Sequence, residues 1–288
     1  IKEAIEMFPE DCTSVVTTPA ANHLFKINPT GERLSEDRRK LLHSITAKLL
    51  FVAKRARPDS QVPIAFLTSR VTKADVDDWG KLWRLLKYLN GTIDLPLTLS
   101  IDDMCVVKTW VDAAFATHHD MCSHTGGYIT MGKGALYASS KRQKLNTKSS
   151  TEAELVGAGD FLPQTIWTVN FIEAQGYKVS RSEYHQDNQS AMKMEKNGRQ
   201  SAGQRSRHIN IRYFFIKDKI DKDEINLMYC PTGEMIADFF SKPQQGSMFR
   251  KFRDVVMGVK HHSFIRALTP DGQERVEDMA RERLAGSN

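Results

Sequence analysis

At 288 residues, 40% hydrophobic and 26% charged, the chain is long enough for two domains and has an ordinary globular composition, which excludes a disordered or fibrous protein. A net charge of +6 and a sequence pI near 9.0 suit a polyanionic partner, although an excess of this size also occurs in proteins that bind no nucleic acid. Cys12, Cys105, Cys122 and Cys230 show no CxxC spacing and no apolar run is long enough to span a bilayer, so an intracellular, reduced protein with no membrane partner is expected.

The chain opens on Ile1 rather than Met, as expected for a piece of a longer product. Residues 1–34 are broken by Phe8-Pro9, Thr18-Pro19, Asn28-Pro29 and Thr30-Gly31 and read as a linker or wrapping arm. From Ser35 the apolar residues recur at helical spacing through Leu41, Leu42, Ile45, Leu49, Leu50 and Val52, up to a break at Arg57-Pro58. Two more helices are predicted through Ile64 to Val71 and Val76 to Leu89. Their basic residues, Lys54, Arg55, Arg57, Arg70, Lys81, Arg84 and Lys87, fit phosphate contacts or simply solvated helix faces.

From Leu95 to Met131 the period becomes strand-like, and Ala135–Ala138 reads as a further strand after the Gly132-Lys133-Gly134 turn. Residues 139–148 form a Ser/Thr-rich basic segment without an acid, carrying Lys141, Arg142 and Lys144. Such a loop suits an anionic backbone brought towards acids, and also fits a solvated surface loop. Ser149-Ser150-Thr151-Glu152 reads as a capped helix start, followed by apolar residues on more than one face, so a buried central helix is expected despite Gly157, Gly159 and Pro163. Beyond it come a strand ending at Asp187-Asn188, a helix to Lys196, and a basic stretch with Arg199, Arg205, Arg207 and His208. His208 fits a phosphate ligand at a helix start or a plain cap. A helix over 209–220, a strand over 224–229, a helical turn around Asp238 and an apolar-basic helix over 248–257 follow, before a charged tail.

Four acids interrupt apolar runs: Asp112 ends Val106–Val111, Glu154 precedes Leu155, Asp187 sits at a strand-to-helix switch, and Asp238 lies inside Met235–Phe240. Gathered together they would repel one another without a metal, and magnesium, which prefers oxygen ligands, resolves that conflict. Residues two apart on a helix diverge by roughly 200°, so only one of Glu152 and Glu154 can face such a cluster. The apolar neighbours select Glu154, leaving Glu152 to the cap.

The motifs Val-Asp-Ala-Ala-Phe-Ala (111–116), Ser-Ser-Thr-Glu-Ala-Glu-Leu (149–155), Asp-Asn-Gln-Ser-Ala (187–191), Arg-His-Ile-Asn-Ile-Arg-Tyr (207–213) and Tyr-Cys-Pro-Thr-Gly-Glu-Met-Ile-Ala-Asp-Phe-Phe-Ser-Lys-Pro (229–243) resemble the ribonuclease H domain that closes the polyprotein of Ty1/copia-type retrotransposons. The resemblance implies an α/β fold, a mixed five-stranded sheet with flanking helices, preceded by a small mainly helical module. It divides the chain into a thumb- or connection-like segment (1–100), the ribonuclease H-like domain (101–245) and a C-terminal extension (246–288). It implies hydrolysis of the RNA strand of an RNA–DNA hybrid with two magnesium ions, manganese being the alternative, roughly 3.5–4 Å apart. Asp112, Glu154, Asp187 and Asp238 would be catalytic and metal-binding; Lys141, Arg142, Lys144, Asn188, Arg205, Arg207 and His208 would meet the nucleic acid. The rest of the reverse transcriptase polyprotein would be a partner.

Two departures stand out: Ala114 occupies the place where many copia-type sequences carry a second acid, and Cys230–Glu234 lacks the loop histidine of many cellular ribonucleases H. The alternatives are a catalytically inactive module that binds duplex and braces a polymerase, and a strand-transfer enzyme of integrase type, whose three-acid pattern fits less well. No Tyr-Val-Asp-Asp-like hairpin supports polymerase activity.

Overall fold

In the computed structural model, residues 1–197 and 207–266 are described, without the side chains at 207–211, 213 and 266. The expectations for Arg199, Arg205 and the tail from Thr269 fall outside these residues, as do those for the side chains of Arg207 and His208. The first hundred residues form α1 (Lys2–Glu6), α2 (Glu36–Ala53), α3 (Gln61–Arg70) and α4 (Val76–Gly91). Local chemistry starts the two long helices. The Ser35 side chain accepts from the Arg38 amide at the head of α2, and Asp75 and Asp78 form a reciprocal capping box at the head of α4. The irregular arm is pinned by its aromatics: Phe8 stacks on Trp79 at 4.7 Å, and Phe25 meets Phe66 edge-on at 6.0 Å.

The sheet strands are β2 (Val106–Ala114), β3 (His124–Thr130), β5 (Tyr137–Arg142), β6 (Arg181–Gln186) and β7 (Asn226–Tyr229), in spatial order β5-β3-β2-β6-β7. Pairing is antiparallel in β5-β3-β2 and parallel in β2-β6-β7. With α5 (Ser150–Ala174), α6 (Gln189–Asn197), α7 (Arg207–Asp221), α8 (Asp238–Ser241) and α9 (Gly246–Val256), this is the ribonuclease H-like architecture expected. Two expectations change. The strand-like stretch Leu95–Met131 supplies β2 and β3, but its first part yields only β1 (Ser100–Ile101), paired with β4 (Gly132–Lys133) in a separate ribbon, with the Thr98 amide donating to Met257 O instead of joining the sheet. The basic segment begins as strand rather than loop: β5 runs to Arg142, opposite His124.

Strand alternation gives the sheet two covered faces. Val107, Val111, Ile129 and Tyr184 pack on Phe161 and Leu162 of α5 and Ile216 of α7. On the other face Trp110 and Tyr128 join Phe240, Phe249 and Phe252, and the same buried cluster continues through Tyr88 into Leu42, Ile45 and Leu49. The helical module, sheet and α9 therefore share one core. Gly126 and Gly127 make both approaches close. A Cβ on Gly126 would strike the α8 backbone at Ala237, and one on Gly127 would strike the Phe161 ring.

Candidate active site

Three carboxylates arrive at one place from three elements. Asp112 is near the end of β2, Glu154 is in the first turns of α5, and Asp187 follows β6, with one oxygen of each within 4.8 Å of the others. Asp112 and Glu154 are 2% and 5% exposed, so the charges meet out of water. Asp238, the first residue of α8, lies outside that trio but against Asp112, and Lys242 bridges the two. The Lys242 ammonium lies 2.5 Å from Asp238 Oδ1 and 3.4 Å from Asp112 Oδ2. Ser241 Oγ donates to Asp112, and Thr232 Oγ1 donates to Asp187 Oδ2 at 3.0 Å. Glu152 turns away: Ser149 Oγ accepts from its amide at 3.2 Å, and its own Oε2 accepts from the Lys148 amide at 2.7 Å.

Burial is the main electrostatic fact here. It holds the Glu154 carboxyl well above its ordinary range, reinforced by the charges of Asp112 and Asp187. Asp187 is also raised by burial and Asp112, against the Thr232 hydrogen bond. Asp238 is pushed up to about 7, again by burial and then Asp112, in spite of Lys242. Burial disfavours the Lys242 ammonium, but Asp112 and Asp238 outweigh it and raise its pKa. Glu154 Oε2 is buried with no hydrogen-bond partner. An all-oxygen donor set with an orphaned, desolvated carboxylate oxygen fits a hard divalent cation.

Comparison with known proteins supplies the lineage. The retrovirus-related Pol polyprotein from transposon TNT 1-94 of Nicotiana tabacum is 27% identical over 261 residues, covering 89% of this chain and 19% of that protein. The Pol polyprotein from transposon RE2 of Arabidopsis thaliana is 28% identical over 198 residues, 68% of the chain and 14% of its own length. The putative transposon Ty5-1 protein YCL074W of Saccharomyces cerevisiae is 30% identical over 119 residues, 41% of the chain. Over most of its length the chain is similar to the Pol polyproteins of copia-type retrotransposons, as expected of a fragment of such a polyprotein. It spans less than a fifth of the length of the Pol polyproteins it matches. No family model and no solved structure matches it.

Around the acids, the residues expected to meet nucleic acid have different situations. Lys141 and Lys144 are exposed. The ladder runs Asp112, Gly126, Ser140, so Lys141 projects from the second strand over, with the backbones about 10 Å apart at two inter-strand spacings. Arg142 is paired with Asp120, and Asn188 Oδ1 caps α6 by accepting from the Ser190 and Ala191 amides at 3.1 and 3.0 Å. In the helical module, Arg57 is not free for phosphate: it is buried and donates to Asp59 at 2.9 and 2.8 Å. Arg70 is likewise taken by Asp75 and Asp78. Sequence reasoning assigned no role to Lys242, Ser241 or Thr232. The Asp238–Lys242 spacing of four, one helical turn, was the available signal for the lysine.

Proposed function

We propose that the chain hydrolyses the RNA strand of an RNA–DNA hybrid at the acid cluster, as the nuclease part of a retrotransposon reverse transcriptase. The convergence of Asp112, Glu154 and Asp187, with Glu154 Oε2 left unsatisfied, carries this reading. Asp112, Glu154, Asp187 and Asp238 would hold two magnesium ions, or manganese, which would activate water and offset charge on the leaving 3′ oxygen. The chain's own residues do the rest. Thr232 fixes one oxygen of Asp187 and Ser241 one of Asp112, so both carboxylates hold their aim. Lys242 supplies positive charge against Asp112 and Asp238, which lowers their mutual repulsion. Lys141 and Lys144, both exposed, would contact the anionic strand. Selectivity for a hybrid would rest on 2′-hydroxyls and duplex shape rather than base edges.

The test is incubation of the purified chain with an RNA–DNA hybrid labelled on the RNA, with magnesium and with chelator. The proposal expects internal cleavage of the RNA strand only with the metal. Binding without cleavage under both conditions would favour the inactive bracing module; chelator-resistant cleavage would overturn the metal requirement.

A further inference from the structure

A second cluster of ligating side chains lies away from the acids, where the turn after α9 returns to the β1–β4 ribbon. We propose that Asp102, His261 and His262 form a metal site for a zinc-class transition ion, stapling the C-terminal turn to the sheet. One donor atom of each residue lies within 4.8 Å of the others. Asp102 Oδ2 and His261 Nε2 are 2.6 Å apart.

The histidine His262 is already oriented as a ligand. Its Nε2 is 3.1 Å from Lys108 Nζ and its Nδ1 is 3.2 Å from Gly132 O. An ammonium only donates, so Nε2 presents its lone pair and Nδ1 carries the proton towards the carbonyl. Metal-bound histidines are commonly held in this way, the second nitrogen on a backbone carbonyl and the first on the ion. His261 is held differently: the Ser263 amide donates to its Nδ1 at 3.2 Å, so without an ion its Nε2 carries the proton towards Asp102, and the ion would take that proton's place between the two.

The backbone holds the three ligands together before any ion arrives. The Asp102 amide donates to Met131 O at 2.9 Å, Lys133 and His261 form an isolated antiparallel bridge, and the Trp110 ring lies 5.7 Å from the His262 ring. The donor set selects the ion. Two imidazoles and a carboxylate suit zinc and its neighbours, with a fourth position for water, whereas magnesium prefers oxygen alone. Lys108 occupies the lone pair that the ion would use, so it competes with the metal.

This inference does not depend on the proposed nuclease reaction, and its test needs no substrate. The full chain, stripped with chelator and dialysed, is titrated with cobalt(II) and followed by visible absorption, then by displacement with zinc. One equivalent of cobalt should give the bands of a four-coordinate ion, be displaced by zinc and not by excess magnesium, and persist in Asp112→Asn. His261→Ala and His262→Ala should each weaken binding by about 10–100-fold. Lys108→Met should tighten it, a gain that a misfolded variant could not show. Binding that survives the double histidine variant, disappears in Asp112→Asn, or is weakened by Lys108→Met would overturn the proposal, as would the absence of cobalt bands in the folded wild-type chain.

Discussion

Asp59 and Glu154 are buried alike, at 2% and 5% exposure, yet their surroundings are opposite. Asp59 receives Arg57 through Nε and Nη2 at 2.9 and 2.8 Å, and Tyr88 Oη donates to it at 2.6 Å. Arg57 is itself completed by Thr92, through the carbonyl at 2.9 Å and the hydroxyl at 2.7 Å. Glu154 has two other carboxylates within reach and an oxygen with no donor. The first arrangement is how this chain satisfies a buried acid when only structure is at stake. The second leaves repulsion and an acceptor without a donor in place, a cost in stability that the proposed cation would offset.

The comparison breaks most sharply at the level of cleavage. Asp112→Asn, Glu154→Gln and Asp187→Asn should each lower the rate of hybrid cleavage by at least about 100-fold, since several kcal/mol of transition-state stabilisation is at stake. Single-turnover assays on folded variants check this, and near-normal rates in any of the three would remove that acid from the site. Arg57→Met tests the structural side. It strands a buried Asp59 charge and should destabilise the chain by about 3–5 kcal/mol in denaturant melts, with no specific loss of metal response.

A third buried acid lies between these extremes. Burial pushes the Glu195 carboxyl up to about 8 from an ordinary 4.5, and the Gln186 amide, oriented to donate, reaches its oxygens at 2.8 and 3.0 Å. The folded chain thus holds a proton that the unfolded chain releases, so stability falls as pH rises from 4.5 to about 8 and is level beyond. Glu195→Gln should flatten that slope and raise stability at pH 9 by on the order of a few kcal/mol; an unchanged slope in chelator would show that Glu195 ionises freely. The smallest effect belongs to Glu152, which supports the helix start. Glu152→Gln should cost about 0.3–1 kcal/mol and leave cleavage within a fewfold of wild type, whereas a large catalytic loss would put the wrong glutamate in the cluster.

Much of the acid cluster was legible because each carboxylate interrupts an apolar run at or near an element boundary, and the helical repeat separates Glu154 from Glu152. The mixed five-stranded α/β sheet was expected from the resemblance, while its strand order β5-β3-β2-β6-β7 came only with the structure. The supporting contacts were not legible, since Ser241 and Thr232 meet their aspartates across 129 and 45 residues of chain. Nothing in the sequence around Gly126 and Gly127 announces that α8 and Phe161 close on them. The basic residues misled most. Charge alone does not distinguish Arg57, locked to an acid two residues away inside the core, from the exposed Lys141. The part of the basic segment that became β5 was hidden because polar Ser139 to Arg142 carry little strand propensity and are held there by pairing with β3.

The central claim is that the acid cluster is incomplete without a divalent cation, and thermal melting of wild type and Glu154→Gln in chelator and across a magnesium titration tests it most directly. The account predicts that Glu154→Gln melts at or above wild type in chelator, because a repelling charge is gone, and that magnesium raises the melting temperature of wild type much more than that of the variant. A variant that melts well below wild type in chelator, together with an equal response of both proteins to magnesium, would contradict it.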